Sequence, residues 1–211
     1  MKFSTTRWVK IAWVAALAIL FIVFSAWYGG NGKPLSAEEG AELIAELRAS
    51  YGDVPSDERG FADNMEAMIA KDDGKEFYAV NLEKLKDGEK ASTADRSYAQ
   101  VVFPLLIKRA GHPVFVSYRE GLMLGDYGTD VDRVAVVRYR SLRDLINMAK
   151  DPEMIASSHH KFDALDHTEV FITRPTITFV HIRITLGLVL ILIGWLGLRG
   201  LNWLSHRARK A

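Results

Sequence analysis

The stretch DRVAVVRYRSLRDLINMAKDPE, residues 132–153, passes from a strand pattern to a helix pattern within a few residues. Its first half is rich in Val and Tyr, which favour strands. Ser141 then stands at an N-cap position with Asp144 three residues later, and Asp151-Pro152 is a helix stop signal. We therefore predict a strand over 132–140 followed directly by a helix over 141–151.

The segments on both sides of this stretch complete a regular order of elements. Turn signals flank a predicted strand over 76–85. Pro104 is tolerated in the helix that follows only as a kink, unless that helix is shorter than predicted. The predicted elements are a strand over 76–85, a helix over 93–109, a strand over 112–124, a short helix from 153 to about 165 and a strand over 168–173. The order β-α-β-β-α-β is the ferredoxin-like split pattern of an α+β domain, which we place at 73–174.

Two further helices precede this domain and form a helical extension over 35–72. Ser36 and Glu39 have capping-box spacing, and Leu43, Ile44 and Leu47 give the first helix an apolar stripe as far as about Ser50. The second is predicted to start after Pro55 and Ser56. Its apolar positions recur at helical spacing, at Phe61, Met65, Met68 and Ile69.

Both ends of the chain carry long apolar runs. Residues 8–28 contain only Lys10 as a charge, and 184–198 contain none. Since a bilayer core needs about 20 apolar residues in helical form, we predict transmembrane helices over 8–28 and 180–204. A cleaved signal peptide is the alternative for the first run, but its apolar core would be only roughly 7–15 residues long and would end in small residues.

Small residues mark one face of each apolar run, and small residues let membrane helices approach closely. They are Ala12 and Ala16 in the first run and Gly187, Gly194 and Gly197 in the second. We read them as packing positions, between the two helices or against a partner. The alternative is that they are ordinary membrane-helix composition.

The basic residues beside the apolar runs predict an orientation. Lys2, Arg7 and Lys10 lie at the start of the chain, and Arg207, Arg209 and Lys210 close it. Because Lys and Arg in short flanking segments favour the cytoplasm, the segments 1–7 and 205–211 are expected there. The central domain would then be periplasmic, in a bacterial inner membrane.

Composition excludes several function classes. The net charge is +1, which argues against nucleic acid as a partner, and the chain has no cysteine, so a metal would need His and carboxylate ligands. No phosphate-binding glycine loop and no GxSxG motif occurs. We expect no cofactor, and the reading as an enzyme is not favoured.

Four short motifs carry a resemblance to a known family. They are VNL at 80–82, VRY-x-S at 137–141, DPE at 151–153 and HK-x-x-AL at 160–165. In this order they resemble a bacterial family of unknown function in the dimeric α/β-barrel superfamily, over roughly residues 60–174. The resemblance implies that two domains pair their sheets face to face as a homodimer. It also makes His160, which matches the HK motif, the best single candidate for a catalytic residue.

The histidines near the end of the domain raise the question of a metal. On a continuous helix, His160, Asp163 and His167 would share one face and suit zinc, iron or copper. If a strand begins near Thr168, the helix ends before His167, and this side chain then points away from His160 and Asp163. The alternative, which we favour, is a polar helix C-terminus without metal.

The strands offer a second candidate site. Asn81 and Glu83 share a face of one strand, Ser117 and Arg119 of another, and Arg138 and Arg140 of a third. If these faces converge, Asn81, Glu83, Arg119, Arg138 and Tyr139 line a ligand cleft in the barrel. The alternative, which we favour, is that the charged groups pair with one another.

Three functions remain open on the sequence alone. The favoured one is a membrane-anchored, dimerising assembly or accessory module of a larger integral membrane complex. The alternatives are a small-molecule binding or sensing protein, and an oxygenase or isomerase that acts on an apolar substrate. The lipid bilayer is the partner that the sequence indicates most directly.

Overall fold

The computed structural model describes residues 2–51, 60–178 and 181–207. The chain divides into two compact units, one formed by its two ends, Met1–Tyr28 with Ile177–Ala211, and one by Gly29–Thr176. The central unit is mixed α+β with a four-stranded antiparallel sheet. Over the described ranges, the chain as a whole has seven helices.

The elements follow one another in the predicted order. The helices of the central unit are α2 (Ala37–Tyr51), α3 (Phe61–Ile69), α4 (Glu89–Lys108), α5 (Leu142–Ala149) and α6 (Pro152–Ala164). The strands are β1 (Phe77–Leu85), β2 (His112–Tyr118), β3 (Arg133–Tyr139) and β4 (Leu165–Thr173). The end unit consists of α1 (Lys2–Gly29) and α7 (Ile182–Arg207).

The sheet has the order β2-β3-β1-β4, and every neighbouring pair is antiparallel. Three predicted boundaries were wrong. β2 stops at Tyr118 rather than at residue 124, because its partner β3 pairs no further than Arg133. β4 begins at Leu165, which pairs with Leu85 and extends the ladder, and α4 begins at Glu89 and continues through Pro104.

The helix starts follow the predicted capping residues. Ser141 Oγ accepts a hydrogen bond of 3.2 Å from the backbone N–H of Asp144, and Ser36 Oγ accepts one of 3.1 Å from that of Glu39. Each bond satisfies a donor that the first helical turn leaves free. The predicted start after Pro55 and Ser56 lies outside the described residues.

The helices of the central unit cover one face of the sheet. Alternate side chains of a strand point to opposite faces, so Phe77, Ala79, Asn81 and Glu83 share this helix-covered face of β1. Phe77 packs in the main core with Ile146 and Leu142 of α5 and with Ile44 and Leu47 of α2. This packing positions α4, α5 and α6 over one side of the sheet only.

The end unit is an antiparallel pair of apolar helices. Arg7–Gly29 and Ile182–Arg207 are long and apolar enough to cross a membrane, with mean hydropathies of 2.4 and 2.0. The second helix extends past the predicted end at residue 204. Residue 180 of the predicted span and residues 208–211 of the predicted tail lie outside the described part of the chain.

The two small-residue faces of the end helices have different surroundings. A Cβ atom at Gly187 would lie 3.4 Å from the ring of Phe21, one at Gly194 would lie 3.3 Å from Leu17, and one at Gly197 would clash with Trp13. The glycine face of α7 therefore packs on α1. Ala12 and Ala16 are exposed, so the alanine face of α1 is not part of this contact.

Candidate functional site

The five residues named for a ligand cleft do not share one face of the sheet, so the strand faces on which that reading depended do not converge. Asn81, Glu83 and Tyr139 lie on the helix-covered face, whereas Arg138 lies opposite Tyr78 on the other face. Arg119 lies beyond the end of β2, is exposed, and donates from Nε to the carbonyl of Val131 at 2.7 Å. The alternation of side chains along the strands separates them, because Arg138 and Tyr139 are adjacent in sequence.

The buried charges are paired within the chain. Arg133 Nε donates to Glu83 at 2.5 Å, and its two terminal nitrogens donate to the carboxylate of Asp95 at 2.7 and 2.8 Å. These two pairs raise the pKa of the Arg133 guanidinium. We call Glu83, Arg133 and Asp95 the buried ion cluster.

Arg138 belongs to a separate arrangement at the other end of the sheet. Its side chain is 1% exposed, donates to the carboxylate of Glu76, and donates from Nη1 to the carbonyl of Ala110 at 2.6 Å. Its guanidinium thus joins the start of β1 to the turn before β2. This geometry fits a structural role.

The sheet face opposite the helices carries an apolar band. The strand register places Phe171, Val80, Val136 and Phe115 in one row across all four strands. Phe171 is 44% and Phe115 is 54% exposed. We call this surface the open face. The next row contains Leu82 and Val134, so the band is two rows deep at its centre.

The segment between β2 and β3 adds to the exposed apolar surface. Met123, Leu124 and Tyr127 are 102%, 95% and 99% exposed. Monomeric soluble proteins rarely expose contiguous apolar patches of more than a few hundred Å². The open face and this segment are therefore candidates for an interface.

The predicted metal trio is not assembled, because α6 ends at Ala164 and His167 lies in β4 opposite Lys84. A different trio is close together: ligand atoms of His159, His160 and Asp163 all lie within 4.8 Å of one another. The ring centroids of His159 and His160 are 4.0 Å apart, and His160 is half-buried. This surface of α6 has the ligand types for a borderline metal such as zinc. The favoured reading of the sequence, a polar helix C-terminus without metal, stays a prediction.

Other polar residues near the buried ion cluster were missed by the sequence reasoning. Lys161 lies in α6, burial lowers the pKa of its ammonium, and the same helix turn carries His160. Tyr98 in α4 has a pKa raised by burial, and burial raises the pKa of Tyr139 to about 12. Helical periodicity could have placed Asp95 and Tyr98 on one face of α4, but not above Glu83, because that depends on how α4 docks on the sheet.

Comparisons with known proteins give partial structural similarities. No family model matches this chain, and no curated protein matches it. A protein of unknown function from Rhodopseudomonas palustris is 19% identical, with a TM-score of 0.49, over 53% of this chain and 91% of that one. A hydroxynitrile lyase from Passiflora edulis is 14% identical, with a TM-score of 0.38, over 50% of this chain and 98% of that one.

A third solved structure is an uncharacterised NIPSNAP domain protein from Burkholderia xenovorans. It is 12% identical, with a TM-score of 0.38, over 50% of this chain and 98% of that one. Two of these three neighbours therefore have no stated function.

Proposed function

We propose that this chain is a membrane-anchored dimerising module that serves in the assembly of a larger membrane complex. In this proposal α1 and α7 span the bilayer, and the central unit is a ferredoxin-like domain that pairs with a second copy as a dimeric α/β-barrel. Both termini lie in the cytoplasm of a bacterium and the central unit in the periplasm. The apolar band of the open face carries the proposal.

The open face has the character of an interface. Its central row, Phe171, Val80, Val136 and Phe115, offers only apolar groups, and each exposed Å² removed from water contributes about 25 cal/mol. Dimer interfaces are more apolar than the remaining protein surface. Exposure of both phenylalanines is therefore explained if another surface covers them.

A second copy of this chain is the occupant that fits best. Two-fold pairing brings the same patch of both subunits together, which requires a surface that is complementary to itself. An apolar row that crosses the whole sheet meets this condition, because each copy offers the same four uncharged side chains in the same order. Anchoring in one membrane also confines two copies to a layer and raises their effective concentration.

The helix pair supports the membrane part of the proposal. Lys10 near one end of α1 donates to the side-chain oxygen of Asn202 near the opposite end of α7, so this polar contact joins the two helices close to one boundary of the apolar segment. The guanidinium of Arg199 lies 5.4 Å from the ring centroid of Trp195. Arg and Trp near helix ends are typical of membrane interfaces.

The exposed alanine face of α1 supports a further membrane partner. The glycine face of α7 is already in contact with α1, whereas Ala12 and Ala16 are exposed. Helices of an integral complex would pack closely on such a face. Gentle extraction should therefore yield this chain together with other membrane subunits in fixed stoichiometry.

The dimer is tested by two substitutions at neighbouring positions of β4. Phe171 lies on the open face and is 44% exposed, whereas Val170 lies on the opposite face and is 46% exposed. We expect F171R to convert the full-length protein in nanodiscs from dimer to monomer, because two charges would meet in an apolar band. V170R should remain dimeric. Equal masses for the two variants by mass photometry would contradict the proposal.

A further inference from the structure

One face of α7 carries tryptophan and arginine in alternation. Trp195, Arg199, Trp203 and Arg207 follow one another at intervals of four residues. Residues four apart are neighbours on the surface of a helix, so these side chains form one continuous row. We call them the Trp–Arg row. The row lies towards the end of the helix pair at which Lys10 of α1 donates to α7.

The Trp–Arg row faces away from α1. Gly197 packs on Trp13 of α1, and Arg199 follows two positions later, which turns it about 200° around the helix. All four side chains of the row are exposed in the helix pair, with Trp195 at 54% and Trp203 at 53%. The row is therefore a surface for a partner other than α1.

The guanidinium groups of the row lie against indole rings. Arg199 Cζ is 5.4 Å from the ring centroid of Trp195, and Arg207 Cζ is 3.9 Å from that of Trp203. An indole ring attracts a cation to its flat face, which leaves the N–H groups at the edge of the guanidinium free to donate. Both arginines are thus held in place by the row itself and can still bind an oxygen-rich anion.

The helix pair supplies positive charges but no carboxylate side chain to balance them. No Asp or Glu occurs over residues 1–37 or 170–211. Lys10 is half-buried and donates to Asn202, whose side chain is neutral and which precedes Trp203 of the row. A third positive charge thus lies beside the row. At membrane depth a positive charge is costly unless an anion lies near it.

The spacing of the arginines along α7 places the row across one boundary of the bilayer. Arg183 and Arg199 are 16 residues apart, which corresponds to about 24 Å of helix. The hydrocarbon core is roughly 30 Å thick, so Arg199 lies inside it when Arg183 lies at the opposite boundary. Arg207, about 12 Å further along the axis, then lies outside it. The phosphate of a phospholipid lies between these two levels, whereas a dissolved anion stays in the water.

From this arrangement we infer that the Trp–Arg row binds an anionic phospholipid of the cytoplasmic leaflet. The inference rests on the proposed function, in which α7 spans the bilayer and ends in the cytoplasm. The guanidiniums of Arg199 and Arg207 donate to the phosphate oxygens, and Lys10 adds a third positive charge. Leu196 and Leu204, which are 53% and 56% exposed, offer apolar surface to the acyl chains. A zwitterionic headgroup fits less well, because its own ammonium neutralises the phosphate.

The lipid site is tested on the full-length protein in detergent micelles by native mass spectrometry. The probes are phosphatidylglycerol and phosphatidylethanolamine with identical acyl chains, since only the first has a net negative charge. We expect the original chain to bind phosphatidylglycerol roughly tenfold more tightly, and R199Q combined with R207Q to lower this preference at least fivefold. R183Q is the matched control and should keep the preference, because Arg183 also lies 5.4 Å from an aromatic ring, that of Tyr28, but at the other end of the helix pair.

A further variant and a separate measurement keep the outcomes distinct. R199K combined with R207K keeps both charges and should retain part of the preference, which covers the case that the glutamine variant does not fold. The inference is overturned if the original chain binds both lipids equally, or if R183Q lowers the preference as much as the double glutamine variant does. Extraction of the chain from membranes by alkaline carbonate would overturn the proposed function as well. A chain that resists extraction but has no lipid preference would overturn this inference alone.

Discussion

At the residue scale, the best-defined polar feature is Arg133, whose single guanidinium holds two acidic side chains from β1 and α4. Its side chain is 13% exposed and that of Glu83 is 9% exposed. Breaking a buried pair by removing one partner leaves the other charge uncompensated in a medium of low dielectric constant. The cluster therefore fixes α4 on the sheet more firmly than the ion pairs at the surface fix α2 on α3.

Replacing Arg133 by Met should consequently lower the free energy of unfolding by about 3 kcal/mol. The matched control is Arg48→Met, since Arg48 bridges Asp63 and Glu66 but has a side chain that is 47% exposed. That change should cost no more than about 0.5 kcal/mol. Urea unfolding followed by circular dichroism measures the unfolding free energy of both variants. Equal losses in the two would show that the buried ion cluster stabilises the fold no more than the surface ion pairs do.

A second residue-scale prediction concerns Asp151, which lies before α6. Asp151 pairs with Arg109 at 2.8 Å and also accepts a hydrogen bond from the backbone N–H of Glu153. Arg109 holds the pKa of the Asp151 carboxyl below its usual value. The pair therefore stabilises the fold above the usual carboxyl pKa, and this contribution is lost as the pH falls through the lowered value.

Asp151→Asn keeps a capping oxygen but removes the charge. The unfolding midpoint of the variant should lie below that of the original chain at pH 7, and the difference should shrink as the pH falls through the lowered pKa of Asp151. Asp130→Asn is the control, because Asp130 lies in the exposed segment before β3. At pH 7 it should lower the unfolding midpoint less than Asp151→Asn does. If the unfolding midpoint of D151N stays equally far below that of the original chain in acid, the carboxylate charge is not the cause of the difference.

At the element scale, sequence signals located the helix starts better than the strand ends. Ser36 and Ser141 mark the starts of their helices, because a capping hydroxyl binds a backbone N–H only three residues further along the chain. The end of β2 and the start of β4 depend instead on where the partner strands β3 and β1 offer pairing, which is information from distant parts of the chain. Sequence reasoning therefore extended β2 to residue 124 and kept His167 out of β4.

The pairing of α1 and α7 gives a prediction at the same scale. Gly197→Leu should push the helices apart, because even a Cβ atom there would meet the indole of Trp13. Gly200→Leu is the control, since no atom lies within 4 Å of a Cβ at that position. In a chain that carries the cysteine pair F21C and G187C, G197L should reduce disulfide formation severalfold and G200L should not. Similar disulfide yields in the G197L and G200L variants would contradict the packing of Gly197 on Trp13.

At the scale of the whole molecule, the sequence predicted the order of elements and the two apolar end helices. It did not predict which polar side chains meet. A ligand cleft would have needed Asn81 and Glu83 beside Arg119 and Arg138, but strand alternation and the early end of β2 place these arginines elsewhere. Lys161 and Thr168 were not singled out, because the burial of Thr168 Oγ1 and the burial that lowers the Lys161 pKa depend on how distant elements pack.

The two faces of the sheet differ, because the helices cover one and leave the other open. In the proposed function, the open face joins two copies and the helix pair anchors each copy in the bilayer. Pairing through the open face is the central claim, because the assembly role depends on it.

That claim is tested most directly by cross-linking in native membranes, since the chain contains no cysteine and any introduced one is unique. Val80→Cys lies in the central row of the open face, and Ala67→Cys lies on the exposed side of α3. With a short bismaleimide, we predict that the V80C chain gives a covalent dimer and that the A67C chain stays monomeric. Absence of a V80C dimer, or an equal yield from both positions, would contradict the account.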